Sequence, residues 1–130
     1  MVYLDTSALA KLVIEEPESA ALRDFLASRG ERSRITSALA RAELLRTAQR
    51  RGEPAVSKAR DVLETIAELT LTRALLDRAG ALAPEELRTL DAIHLASALE
   101  LGGDLQHVVA YDRRLLEAAR RIGVPALAPT

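Results

Sequence analysis

"VYLDTSALAKL", residues 2–12, runs three apolar or aromatic residues into an acid, adds two hydroxyls, and then becomes helical in pattern. Val2 to Leu4 reads as a short buried strand, and the run 6–14 reads as a first helix. A helix N-cap needs only one side-chain acceptor. Asp5, Thr6 and Ser7 together therefore exceed what capping requires. "TSALA" stands at 6–10 and again at 36–40, each time after a strand candidate. The same strand-to-helix junction is solved twice, with too little similarity for a true repeat.

Outward from that junction, strand and helix patterns alternate. Glu15-Glu16-Pro17 interrupts, and 18–30 carries Leu22, Phe25 and Leu26 at helical spacing with Gly30 as a stop. "SRITS" (33–37) is a short strand candidate. The helix 38–52 opens on Ser37 and closes on Gly52. Pro54 suits a first turn, and 55–69 puts Val56, Ala59, Val62, Leu63 and Ile66 on one stripe. "LTL" (69–71) reads as a strand, with Thr72 capping the helix that follows. Pro84-Glu85-Glu86 is a loop, and 89–103 is a helix between a capping Thr89 and Gly102-Gly103. "HVVAYD" (107–112) is a strand ending in Asp112, "RRLLEAARRIG" a helix, and "VPALA" closes the chain. Such alternation predicts an α/β fold with a parallel sheet covered on both faces.

At 130 residues, 48% of them apolar, the chain fits one domain with a sizeable core. Aromatics make up 2%, so that core is aliphatic. The absence of cysteine excludes disulfides and thiolate metal sites, leaving oxygen and imidazole ligands. No apolar run approaches the roughly 20 residues of a membrane span, and a soluble cytoplasmic domain is expected. The net charge of −1 gives no global basic surface. Arg greatly outnumbers Lys, which occurs only at 11 and 58; a GC-rich genome produces the same bias.

In parallel sheets the ligand crevice lies beyond the carboxyl ends of the strands. Asp5 and Asp112 both end apolar runs there, where a carboxylate is costly unless solvated, paired or bound to a cation. Either one alone also reads as an N-cap. Asp91 lies in the first turn of a helix that is apolar almost all round, so it faces a cleft or a partner, or else offsets the helix dipole. Glu43 neighbours Arg46 and Arg50 on its helix, and a solvated Glu–Arg pair is the natural reading. His94 reads as a packed or hydrogen-bonded histidine. With His107 the only other imidazole, no zinc set can be assembled.

Together, Asp5, Glu43, Asp91 and Asp112 could crowd one crevice, where mutual repulsion reaches several kcal/mol at short range. Bound cations or protonation would relieve it. Hard oxygen ligands suit Mg²⁺ or Mn²⁺. Such a pocket serves phosphodiester hydrolysis, because the cation activates water and stabilises the departing oxygen. Thr6 and Ser7 would then hold Asp5 or its waters by hydrogen bonds. Arg46, Arg50, Arg113 and Arg114, beside the acids, are candidates for holding the phosphates on either side of a scissile one, with Arg120-Arg121 two turns on; surface Arg on amphipathic helices is the equal alternative. Scarce aromatics argue against a base-stacking platform of the single-strand-binding type.

"YLDTSALAKLVIEEPES", "TSALARAELLR", "LRTLDAIHLASALELG" and "VVAYDRRLLEAARRIG", in that order and spacing, resemble the PIN-domain family, and within it the VapC toxins of VapBC toxin–antitoxin pairs. The resemblance spans nearly the whole chain. It implies a single PIN domain over 1–130, with a three-layer α/β/α fold and a central parallel sheet of four to five short strands. It also implies an Mg²⁺-dependent (or Mn²⁺-dependent) endoribonuclease acting on structured RNA such as tRNA or rRNA. Homodimerisation and neutralisation by a VapB-type antitoxin, lying across the active-site groove, come with it. By position, the family's acids fall on Asp5, Glu43, Asp91 and Asp112, and its early hydroxyl on Ser7. One departure stands out: Ala110 occupies a place where many relatives carry Thr or Ser. The competing readings are a non-catalytic RNA- or protein-binding module of the same fold, a receiver domain and a dehalogenase-like phosphatase. A receiver needs paired acids on its first strand and a late strand-end Lys; the phosphatase needs Asp where Ser7 stands.

Overall fold

A computed structural model describes residues 1–130. Strands are β1 (Val2–Leu4), β2 (Arg34–Ser37), β3 (Ala67–Leu69), β4 (His107–Val109) and β5 (Ala126–Leu127). Helices are α1 (Thr6–Val13), α2 (Ser19–Ala27), α3 (Ala38–Gln49), α4 (Glu53–Glu64), α5 (Arg73–Ala81), α6 (Thr89–Leu99) and α7 (Arg113–Arg121). The strands form one parallel sheet in the order β3-β2-β1-β4-β5.

The period-two alternation of side chains along a strand separates the layers. Val2 and Leu4 of β1 join Val109 of β4 in a core with α1, α2, α3 and α4. Tyr3, Val108 and Ala110 point the other way, into a core with α6 and α7. Helix α5 packs on α6 through Leu75, Ala79, Ala92, Ile93 and Ala96. The result is the expected α/β/α sandwich. Every residue of α6 from Ala92 to Ala98 is buried, as its apolar pattern required.

Local chemistry explains the junctions. The Ser37 hydroxyl accepts from the Leu39 amide at 3.1 Å, and the Thr72 hydroxyl from the Leu75 amide at 3.1 Å, so both act as the N-caps expected of them. The Thr36 hydroxyl donates to the Leu4 carbonyl at 2.6 Å, satisfying a buried polar group between β2 and β1. Gly52, at φ 105°, makes the turn from α3 to α4 in a region that favours glycine.

Three expectations shift. The third strand lies at 67–69, not 69–71, because Ala67, Glu68 and Leu69 pair with Ile35, Thr36 and Ser37 of β2. Helix α4 accordingly ends at Glu64, and Ile66 fills the α1–α4 core from outside the helix. "AEL" suits a helix locally, so tertiary pairing overrides propensity here. Thr89 does not cap α6: the N-cap is Arg88, which makes no capping hydrogen bond.

Leu44, one residue beyond Glu43, is 1% exposed among α1, α3 and α4. Leu44→Ala is expected to cost about 2–5 kcal/mol in urea unfolding. Leu90→Ala, at a site 49% exposed, should change stability by less than about 0.5 kcal/mol. Equal effects at the two positions would contradict the assignment of the core.

Candidate active site

Asp5 leaves the end of β1 and is only 4% exposed. It is the N-cap of α1, its Oδ1 accepting from the Ala8 amide at 2.9 Å. The Ser7 hydroxyl lies 2.7 Å from Oδ1 and 2.8 Å from Oδ2. Capping is therefore real but does not account for the burial. Ser7 also accepts from the Tyr111 amide at 2.8 Å, which ties the segment before Asp112 to the β1–α1 junction. Asp112 caps α7, accepting from the amides of Arg114 at 2.8 Å and Leu115 at 3.2 Å.

Thr6 departs from its expected role. Its hydroxyl donates not to Asp5 but to Oε1 of Glu43, at 2.6 Å. Glu43 in turn does not pair with Arg46 or Arg50. Its Oε1 lies 2.8 Å from Nε2 of His94, and the side chain turns inward from α3, a quarter exposed. The solvated Glu–Arg pair is thereby replaced by a buried contact to α6, since i, i+3 spacing makes a pair possible without requiring it.

The electrostatics link the four acids. Burial pushes the Asp5 carboxyl up to about 6; Ser7, His94 and the Ala8 amide oppose this, and the nearby Asp112 adds to it. Asp91, in the first turn of α6, is also raised, first by burial and then by Asp112, with Glu43 contributing; His94 and Arg88 work against the rise. Burial pushes Glu43 up as well, but hydrogen bonds from His94 and Thr6 outweigh it and hold that carboxyl below its ordinary value. Like charges act on one another from β1, α3, α6 and the start of α7. Asp5, Asp91 and Asp112 make no ion pair.

As the side chains stand, no three acidic or imidazole groups form a closed ligand cluster. The set is open. An open carboxylate set still fits a hard divalent ion such as Mg²⁺, which keeps several of its waters and needs only one or two carboxylates. Three acids without an ion-pair partner, two of them raised by burial and like charge, are chemically suited to such an ion.

Beside Asp91, a groove of about 440 Å³ runs between α7 and the segment 84–88 that leads into α6, with Arg88, Arg114 and Arg121 on its walls together with Glu86 and Glu117. Of the four arginines put forward for RNA, only Arg114 lines it; Arg46, Arg50 and Arg113 are exposed elsewhere on α3 and α7. Arg88 was missed. Its one signal was a cation at the start of a helix, where the dipole disfavours it. The role of Tyr3 was missed too, and His94, buried and hydrogen-bonded as expected, takes partners that were not foreseen. Ala110 is fully buried in the α6–α7 core, so its side chain does not enter the cleft.

The chain matches the PIN domain family over residues 2–121. It is 47% identical over 129 residues to Ribonuclease VapC46 of Mycobacterium tuberculosis, covering 99% of this chain and 98% of that protein. It is 41% identical over 132 residues to Ribonuclease VapC47 of the same species, covering 99% and 97%. Among solved structures it resembles M. tuberculosis VapC20, described as a sarcin-ricin loop cleaving toxin, with TM-score 0.78 and 21% identity over 99% of this chain and all of that one. A Klebsiella pneumoniae toxin–antitoxin complex gives TM-score 0.76 at 19% identity, covering 100% and 98%. The likeness to these two structures bears on the fold alone.

Burial of Asp5 has a direct consequence. Its carboxyl binds a proton more tightly folded than unfolded, so its contribution to stability is full below about pH 3.8 and is lost as pH rises through about 6. Without divalent ions at pH 7.5, Asp5→Asn is expected to be more stable than the parent by up to about 3 kcal/mol, at about 1.4 kcal/mol per pH unit. Urea titrations should show that difference shrinking toward zero at pH 4. A variant less stable than its parent at pH 7.5 would refute the buried, unpaired charge.

Proposed function

The chain belongs to the PIN-domain family and to its VapC ribonucleases, and from that membership we propose that it is the toxin of a VapBC pair, an endoribonuclease that hydrolyses RNA phosphodiester bonds with Mg²⁺ or Mn²⁺. The observation that carries this reading is the mutual repulsion of acids from separate segments, Asp112 acting on both Asp5 and Asp91 and Glu43 on Asp91, with Asp5, Asp91 and Asp112 lacking any ion-pair partner.

Asp5, Asp91 and Asp112, with Glu43, are the residues that would hold the cation, which supplies a Lewis acid for water activation and for the departing oxygen. The chain's own contribution is placement. Ser7 fixes both Asp5 oxygens and holds the backbone before Asp112. Arg88, Arg114 and Arg121 bind phosphates flanking the scissile one, each as a bidentate fork. The substrate is a structured RNA, tRNA or rRNA, read mainly through shape and backbone.

The partner is a VapB-type antitoxin lying across the same groove. Homodimerisation belongs to this reading as well: Leu76, 42% exposed, lines an apolar groove between α5 and α6 that a second copy would cover. No helix is long and apolar enough to cross a membrane.

Purified protein is expected to cut cellular RNA with Mg²⁺ or Mn²⁺, to stop with EDTA, and to leave 5′-phosphate ends. Asp91→Asn should lower cutting about a hundredfold or more, the scale of losing one charge contact in a transition state, while circular dichroism stays that of the parent. Normal cutting by Asp5→Asn and Asp91→Asn would overturn the site.

The arginine groove makes a separate prediction. Arg114→Ala and Arg121→Ala should each raise KM and lower the salt slope of RNA binding by about 0.7–0.9, the range of counterion release per phosphate contact on single- and double-stranded nucleic acid. An unchanged slope in filter-binding titrations would move the RNA path off α7.

A further inference from the structure

Behind Glu43, a line of polar groups runs from the cleft into the interior. Tyr3, fully buried on the α6 side of β1, places its hydroxyl 2.7 Å from Nδ1 of His94, which is itself 4% exposed. The two rings meet edge to face with centroids 6.0 Å apart. On the far side of the imidazole, Nε2 is 2.8 Å from Oε1 of Glu43, and the Thr6 hydroxyl reaches that same oxygen at 2.6 Å. A carboxylate only accepts, so Nε2 carries a proton. Nδ1 and the Tyr3 hydroxyl, 2.7 Å apart, complete the line at the inner side of the ring.

Every group in this line is satisfied, which is what a buried polar network requires. The outcome at Glu43 is asymmetric: Oε1 takes two hydrogen bonds and Oε2 takes none. Resting on the functional reading above, we propose that the Tyr3–His94 pair, together with Thr6, is a positioning device that occupies Oε1 of Glu43, fixes the carboxylate plane, and leaves Oε2 as the one Glu43 oxygen offered to the cation. Metal sites more often use a carboxylate to orient a ligating histidine; here the histidine orients the carboxylate. The three residues act through Glu43 and touch no reacting atom.

A purely architectural network would hold β1, α1, α3 and α6 together and do nothing else, so the test needs a readout other than folding. Mn²⁺ alone is titrated into the metal-free full-length protein and followed by the electron paramagnetic resonance signal of the free ion. RNA cutting is measured in parallel, at temperatures well below each variant's own unfolding transition. Thr6→Val, which keeps the volume and removes the hydroxyl, and His94→Leu should each weaken Mn²⁺ binding by about 10- to 100-fold, the range for losing a partner behind a ligand. The loss in cutting should fall on kcat, with KM for RNA nearly unchanged. His94→Gln, which restores an N–H donor, should recover part of the loss. Tyr3→Phe should show the same pattern more weakly.

Thr6→Val and Tyr3→Phe preserve the packing, so the test survives if the His94 variants fail to fold. Variants that bind Mn²⁺ and cut like the parent, with only a lowered unfolding temperature, overturn the proposal. A parent protein that neither binds Mn²⁺ nor cuts RNA removes the functional reading, and this inference with it.

Discussion

A carboxylate hidden at the end of β1 with no cation beside it is the constraint around which the molecule is arranged. Asp5 is 4% exposed, and its oxygens meet the Ala8 amide and the Ser7 hydroxyl but no Arg or Lys. Hydrogen bonds reduce the cost of burying such a charge without removing it. A fold optimised only for stability would place a neutral cap here, as Ser37 does after β2 and Thr72 before α5. The cost is local and directed, and the divalent ion proposed for this site, with its waters, would relieve it.

The two hydroxyls after Asp5 divide the work between them. Ser7 serves the acids from the sheet, holding Asp5 directly and the approach to Asp112 through the Tyr111 amide. Thr6 serves the acid from a helix, Glu43. One three-residue junction thereby sets the relative positions of carboxylates that lie more than a hundred residues apart in the chain. The parallel sheet makes this possible, because β1 lies between β2 and β4 and all three strands end at the same edge.

Much of this was legible from the residues. Apolar runs ending in an acid gave β1 and the approach to Asp112, and the all-apolar face pattern gave the central place of α6. Glu43 was different. Its spacing to Arg46 favours a surface pair on an isolated helix, and only its hydrogen bonds with Thr6 of α1 and His94 of α6 turn it inward. The third strand was placed two residues late because "AEL" carries no strand signal of its own and takes its register from β2. His94 read correctly as hydrogen-bonded, yet its partners, Tyr3 and Glu43, come from other elements and cannot be found along one helix. Arg121 joins Arg88 and Asp91 in one groove only because α7 lies beside the start of α6.

The central claim is that Asp5, Asp91 and Asp112 share a divalent ion. Crystals of the protein soaked in Mn²⁺ and measured at the manganese absorption edge test it most directly. The account predicts an anomalous peak between these three side chains, with metal–oxygen distances of about 2 Å for a hard, octahedral ion. A peak elsewhere on the surface, with the three carboxylates left without an ion, would contradict it.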